Sequence, residues 1–263
     1  MHRETIYKII IGVLAVVVII LAGILIFRKP PRAVPAKITK VTKAIKGRVA
    51  IVIDDLGYNL DNLHVLEEIK YPLTLSILPN LSYSKDAAEK LHQRGFEIIL
   101  HLPMEPHEKA RLENNTILTS MDESRIREII ETDLSSISYA RGVSNHMGSL
   151  ATEDMKIMDI TFAELKNKGL YFLDSFVTGN SIAMPLAQKS AVRFARRDVF
   201  LDNNLDDKYI RQQIYRLKIK ARLKGQAVGI GHDRKLTLKV LKEVMPEISQ
   251  EGYKFVFVSE LVR

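Results

Sequence analysis

The chain has 263 residues, 46% hydrophobic and 27% charged, with no cysteine; this excludes a mostly disordered chain, a collagen-like repeat, any disulfide scaffold, a Cys-ligated metal and a thiol nucleophile. Its net charge of +8 is unevenly held, since residues 1–48 carry ten Lys/Arg and one acid while the rest carries 29 basic and 30 acidic residues. A phosphate-tracking face would need its cations on the folded body, so no nucleic-acid partner is expected.

A short tail, residues 1–8, leads into Ile9–Phe27, which is 19 residues long and uncharged. As a helix it spans about 28 Å, close to the hydrocarbon thickness of a bilayer. The run ends in Phe27-Arg28-Lys29-Pro30-Pro31, a poor cleavage site, so the expectation is an uncleaved transmembrane anchor rather than a signal peptide. Residues 28–47, with three prolines among scattered lysines, read as a solvated linker. Counted alone, the basic residues after the helix would keep the following domain in the cytoplasm.

From residue 48 to 263 short β-rich runs alternate with helical patterns in one domain. Strands are expected at Val49–Ile53, Leu73–Leu78, Glu97–Leu100, Gly142–Asn145, Leu170–Leu173, either Val192–Phe194 or Val199–Leu201, Ala227–Ile230 and Phe255–Val258. Helices are expected near 59–70, 84–94, 122–139, 153–168, 206–224 and 236–251, with Asn59, Ser84, Asp122 and Thr152 as cap-type residues. Gly95, Gly142, Gly169, Gly225 and Gly252 stand where helices should stop before the next strand. Such alternation predicts an α/β fold with a parallel sheet. Its count and length suit a closed or nearly closed barrel, with an open doubly wound sheet as the alternative.

The polar chemistry is placed at the strand ends. Asp54 and Asp55 follow the first strand, His101 the third and His146 the fourth; Asp174, Asp202 and His232 end later ones. Parallel α/β folds keep their chemistry at the C-terminal strand ends. Two histidines and an aspartate can make a facial set for a divalent cation with open positions; imidazole and carboxylate suit zinc first, with iron, cobalt or manganese as alternatives. A neighbouring carboxylate, Asp54 beside Asp55, can take a proton from water, and a histidine opposite, such as His232, can protonate a leaving group. Taken singly, His101 or His146 is as readily a hydrogen-bonded core histidine. Asp174 and Asp202 read as supporting residues that orient ligands or cap turns. There is no G-x-S-x-G elbow, P-loop, G-x-G-x-x-G or H-E-x-x-H.

Four segments, Val52-Ile53-Asp54-Asp55-Leu56-Gly57, His101-Leu102-Pro103-Met104-Glu105-Pro106, Asn145-His146-Met147-Gly148-Ser149 and Gly231-His232-Asp233, resemble the divergent polysaccharide deacetylase family, relatives of the NodB-type carbohydrate esterases. The resemblance spans about residues 48–263. It implies a distorted (β/α)7 barrel and metal-dependent removal of acetyl groups from an acetylated envelope polysaccharide. It also implies Asp54 as general base, Asp55 as metal ligand and His232 as general acid. NodB-type enzymes draw both metal histidines from one His-x-x-x-His-Pro stretch. Here Glu105 stands four residues after His101, which leaves His146 as second histidine ligand. Glu105, Asn145 and Asp233 lie in the same motifs as substrate-binding or supporting candidates. The motif's bracing arginine has no direct match, with Arg196, Arg197 or Arg234 as substitutes. Such an activity implies an extracytoplasmic, periplasmic body on a single-pass inner-membrane anchor, against the charge count. The rival reading is a barrel without catalysis that serves as a glycan-binding or envelope scaffold.

Overall fold

The computed structural model describes residues 2–27 and 44–263. Most of the expected linker lies outside them. The chain divides into two compact units, one holding the N-terminal helix and the other the rest. Helix α1 (His2–Phe27) buries none of its residues. It has the length and composition to cross a membrane, and its apolar residues run around every face, as expected of a segment solvated by lipid or held by a signal-recognition groove.

The body contains β1 (Gly47–Leu56), α2 (Leu63–Glu68), β2 (Thr74–Ile77), α3 (Ser84–Gln93), β3 (Glu97–Met104), α4 (Glu123–Ser136), β4 (Gly142–Met147), α5 (Met155–Lys168), β5 (Tyr171–Asp174), α6 (Ala183–Ser190), β6 (Phe194–Arg196), β7 (Val199–Phe200), α7 (Asp207–Lys224), β8 (Gln226–His232), α8 (Lys235–Gln250) and β9 (Tyr253–Phe255). All strand pairings are parallel, in the order β6-β5-β4-β3-β2-β1-β8-β7, with β9 also on β1. The sheet curls into a distorted barrel. Strands lie near both candidates for the sixth stave: β6 overlaps Val192–Phe194 only at Phe194 and runs on to Arg196, and β7 covers Val199–Phe200 of the second. Residues 194–196 pair with β5, Arg197 and Asp198 follow, and residues 199–200 pair with β8. One continuous segment therefore changes partner and bridges the two ends of the sheet.

Other differences from expectation have local causes. Helix α6 was not anticipated because Pro185 reads as a breaker, yet it falls in the first turn, where a missing N–H costs nothing. Asn59 caps no helix; its Oδ1 accepts from the Asp61 amide at 3.0 Å in a turn, and α2 begins later. Asp154, not Thr152, caps α5, accepting from the Ile157 amide at 2.9 Å. Strand β9 stops at Phe255 because it pairs only with Gly47–Val49, and β2 takes over near Val52. Asp122 caps α4 as expected, and Gly169 and Gly225 end α5 and α7 in the left-handed conformation.

Strand alternation decides which residues line the barrel. Val49, Ile51 and Ile53 belong to the large core shared with the helices, whereas Ala50 and Val52 join Ile99, Leu173, Val228 and Ile230 in a separate inner cluster. Val258 and Leu261, from the C-terminal segment, complete that inner cluster. Continuing the inner face toward the C-terminal strand ends gives Asp54 after Val52, His101 after Ile99 and His232 after Ile230. The barrel thus holds an apolar plug with a polar layer above it.

Candidate metal centre

Simple alternation would send Asp54 and Asp55 to opposite faces. The β1–β2 register breaks here: Ile53 pairs with Leu75 but Leu56 with Ile77, so one extra residue is accommodated. Asp55 takes φ +64°. Such a bulge re-aims a side chain, and both carboxylates reach the same place. Asp55 Oδ1 lies 3.3 Å from His101 Nε2 and 3.0 Å from His146 Nδ1. Asp54 Oδ2 lies 3.7 Å from His101 Nε2. One ligand atom from each of Asp55, His101 and His146 falls within 4.8 Å of the other two.

The surroundings fix these groups. His101 Nδ1 meets Ser144 Oγ at 2.8 Å, and that hydroxyl meets Ser76 Oγ at 2.6 Å, which orients the ring and leaves Nε2 for Asp55. Asp55 Oδ1 and Asp54 Oδ1 are buried without a hydrogen-bond partner. An orphaned carboxylate oxygen facing two imidazole nitrogens fits a divalent cation's ligand set, so Asp55, His101 and His146 can hold a metal ion. Burial pushes both neighbouring carboxylates upward. For Asp54 burial prevails over His101 and raises its pKa; for Asp55 the two imidazoles outweigh burial and hold it well below the ordinary range.

His232 lies across the site, its backbone paired with Asp54 in the β1–β8 ladder. Its Nδ1 meets Asp202 Oδ1 at 2.7 Å, and its amide donates to Asp202 Oδ2 at 2.9 Å. Thr237 Oγ1 donates to Asp202 Oδ2 at 2.7 Å, and Arg234 donates to the Asp202 carbonyl at 3.0 Å. Burial opposes charge on His232, but Asp202 outweighs it and raises the imidazole's pKa; Asp202 is correspondingly lowered, its burial outweighed by His232.

The remaining candidates are each held by hydrogen bonds to neighbouring loops and strand ends. Asn145 donates to the Met147 carbonyl at 2.7 Å and accepts from the Ser175 amide at 2.8 Å. Asp174, raised by burial, accepts from the Phe176 amide at 2.7 Å and Ser181 Oγ at 2.8 Å. Glu105 Oε2 accepts from the Thr119 amide at 2.6 Å and its hydroxyl at 2.7 Å, bracing the long β3–α4 excursion. Asp233, also raised by burial, accepts from Asn62 Nδ2 at 3.0 Å and donates its amide to the Asp54 carbonyl at 3.0 Å. Of the three candidate arginines, Arg197 is held against the 175–176 carbonyls at 2.6 Å each. Burial pushes its pKa down to about 10 against the fields of Asp174 and Asp54. Sequence reasoning did not single out Ser76, Ser144 or Thr237 for these supporting roles. For Ser76 the available signal was the alternation of Thr74 and Ser76 with Leu75 and Ile77, which puts two hydroxyls on one face of a buried strand.

Comparison with known proteins agrees with this architecture. The chain is 35% identical over 219 residues to the uncharacterized protein YibQ of Escherichia coli (strain K12), covering 83% of this chain and 69% of that protein. Its fold matches the crystal structure of uncharacterized protein ATU2773 from Agrobacterium tumefaciens C58 with a TM-score of 0.78 at 22% identity, over 84% of this chain and 90% of that one. It also matches the Xyl-CE4 domain of a multidomain xylanase from the hindgut metagenome of Trinervitermes trinervoides, with a TM-score of 0.51 at 15% identity, over 82% of this chain and 89% of that one. Residues 51–262 match the model of the family described as divergent polysaccharide deacetylase. The chain belongs to that family, structurally related to the CE4/NodB carbohydrate esterases.

Proposed function

We propose that the protein is a metal-dependent hydrolase that removes acetyl groups from an envelope polysaccharide. The observation that carries this reading is the convergence of Asp55, His101 and His146 beside a buried Asp54, with the Asp202-oriented His232 opposite. Zinc is the ion the ligand set suits best. When bound, it supplies Lewis-acid activation of water and of the acetyl carbonyl. Asp54, with a free Oδ1, accepts the proton of the attacking water. His232 gives its Nε2 proton to the departing nitrogen or oxygen, while Asp202 keeps Nδ1 as a donor and stabilises the charged ring. The apolar plug below the site leaves water and substrate only the open end.

The same reading assigns α1 as a single-pass inner-membrane anchor with the body in the periplasm, where such a glycan lies. An alkaline phosphatase fused after Arg263 is then active with α1 intact, and an inactive fusion contradicts that orientation. The activity is tested by acetate release from acetylated glycan oligomers with and without a chelator. Chelator-sensitive release supports the hydrolase. Metal binding without release from any such oligomer points instead to a glycan-binding or scaffold protein.

A further inference from the structure

Helix α7 buries Ile210, Ile214, Leu217 and Ala221 against the body. On its opposite side Tyr215, Ile219 and Leu223 are 57%, 39% and 79% exposed. Their four-residue spacing makes one continuous stripe. Along the helix stand seven Lys/Arg and a single acid, Asp207. Arg211, Lys218 and Lys224 are ion-paired with Asp207 and Glu243, with Glu251 and with Asp198, which leaves Lys208, Arg216, Lys220 and Arg222 outside those pairs. Arg222 borders the stripe on one side, and Arg216 and Lys220 on the other, the Lys220 ammonium also donating to the Asp198 carbonyl at 2.9 Å. The Lys218 ammonium, paired with Glu251 at 2.8 Å, lies 4.9 Å from the Tyr215 ring centroid and packs against the edge of the stripe, so the unpaired charge beside it comes from Arg216, Lys220 and Arg222. An apolar stripe with basic margins is the pattern of a helix that lies in a lipid interface.

We propose that the exposed face of α7 docks onto an anionic bilayer surface, with Tyr215, Ile219 and Leu223 entering the acyl boundary and the flanking cations meeting phosphate headgroups. This rests on the reading of α1 as a membrane anchor. Position supports it as well as charge. A Cβ added to Gly47, the residue where the chain enters β1, would lie 2.5 Å from the Ala221 carbonyl oxygen, so the C-terminal end of α7 adjoins the body's N-terminal entry. A second copy is the poorer occupant. Two such faces brought together would oppose one basic helix to another.

The chain has no tryptophan and no cysteine, which gives a clean experiment. The full chain carrying Leu223→Trp, Tyr215→Trp or, as a control on the β3–α4 excursion, Leu112→Trp is reconstituted into vesicles with brominated acyl chains, of phosphatidylcholine alone or with phosphatidylglycerol. The two α7 reporters should be quenched in the anionic vesicles and relieved by salt, with Leu112→Trp unquenched. Replacing Arg216, Lys220 and Arg222 by Gln in the Leu223→Trp chain should lower docking about fivefold per cation removed. Water-exposed α7 reporters in a chain that co-floats with the vesicles overturn the docking and leave the anchor standing. Failure to co-float at all overturns the anchor reading. Unquenched reporters together with a Leu223→Cys chain that crosslinks to a second copy assign the stripe to self-association and also overturn the proposal.

Discussion

Two adjacent carboxylates, one raised and one lowered, stand at the centre of the proposed mechanism. Asp55 faces two imidazoles and stays ionised as a ligand must, whereas Asp54 is fully buried and keeps an affinity for protons suited to a base. Replacing Asp54 by Asn should leave metal content unchanged and lower acetate release by about 10²–10⁴-fold; parallel loss of metal would mean that Asp54 is a ligand. Asp202→Asn acts through His232, whose Nδ1 would lose its carboxylate partner. A fall of roughly 10²-fold or more in turnover, with the alkaline limb of the pH profile moved to lower pH, is the expected outcome. The direction follows because Asp202 raises the His232 pKa. An unchanged profile would remove Asp202 from the mechanism.

At the scale of elements, loops and helices are held by a few buried polar groups. Asp133 on α4 accepts from Asn80 Nδ2 at 2.7 Å and Asn115 Nδ2 at 3.4 Å, tying two loops whose asparagines both have positive φ. Its other oxygen is buried without a partner, and burial pushes its pKa up to about 6. Between the unfolded value near 4 and that folded value the native chain binds the extra proton. Stability from this group is therefore greatest below the unfolded pKa and is lost as pH rises through about 6, by up to about 3 kcal/mol. Denaturant melts from pH 4 to 7 should show this slope, and Asp133→Asn should flatten it. A second test concerns packing. A Cβ at Gly142 would lie 2.5 Å from the Tyr171 ring, whose hydroxyl is fixed at 3.0 Å on Glu97. Gly142→Ala should destabilise the body by about 1–3 kcal/mol, read as a shift in the denaturation midpoint. The strands and most helices were legible because their periodicities are strong. Helix α6 was hidden by Pro185, and the sixth stave was ambiguous because one segment serves two partners. No local signal in the sequence reveals such a change of partner.

For the whole molecule, the parallel curl explains why residues separated by up to 178 positions, Asp54 and His232 among them, share one open end. Their positions after strands were readable from sequence. The bulge that turns Asp55 inward was not, because nothing in Asp-Asp-Leu-Gly distinguishes a bulge from plain alternation. Nor could sequence reveal that Glu105, four residues beyond His101, would brace a loop through Thr119. His146 can stand in for a second histidine of the same stretch because the β3–β4 pairing sets Pro103 beside His146 and brings the His101 and His146 rings to 4.9 Å. The most direct measurement is metal stoichiometry of the purified full chain and of its Asp55→Ala, His101→Ala, His146→Ala and His107→Ala variants, with folding checked by circular dichroism. One tightly held divalent ion is expected in the parent and in His107→Ala, with its loss from each of the other three. A parent chain that takes up no ion, or folded Asp55, His101 and His146 variants that all keep it, would contradict the shared centre.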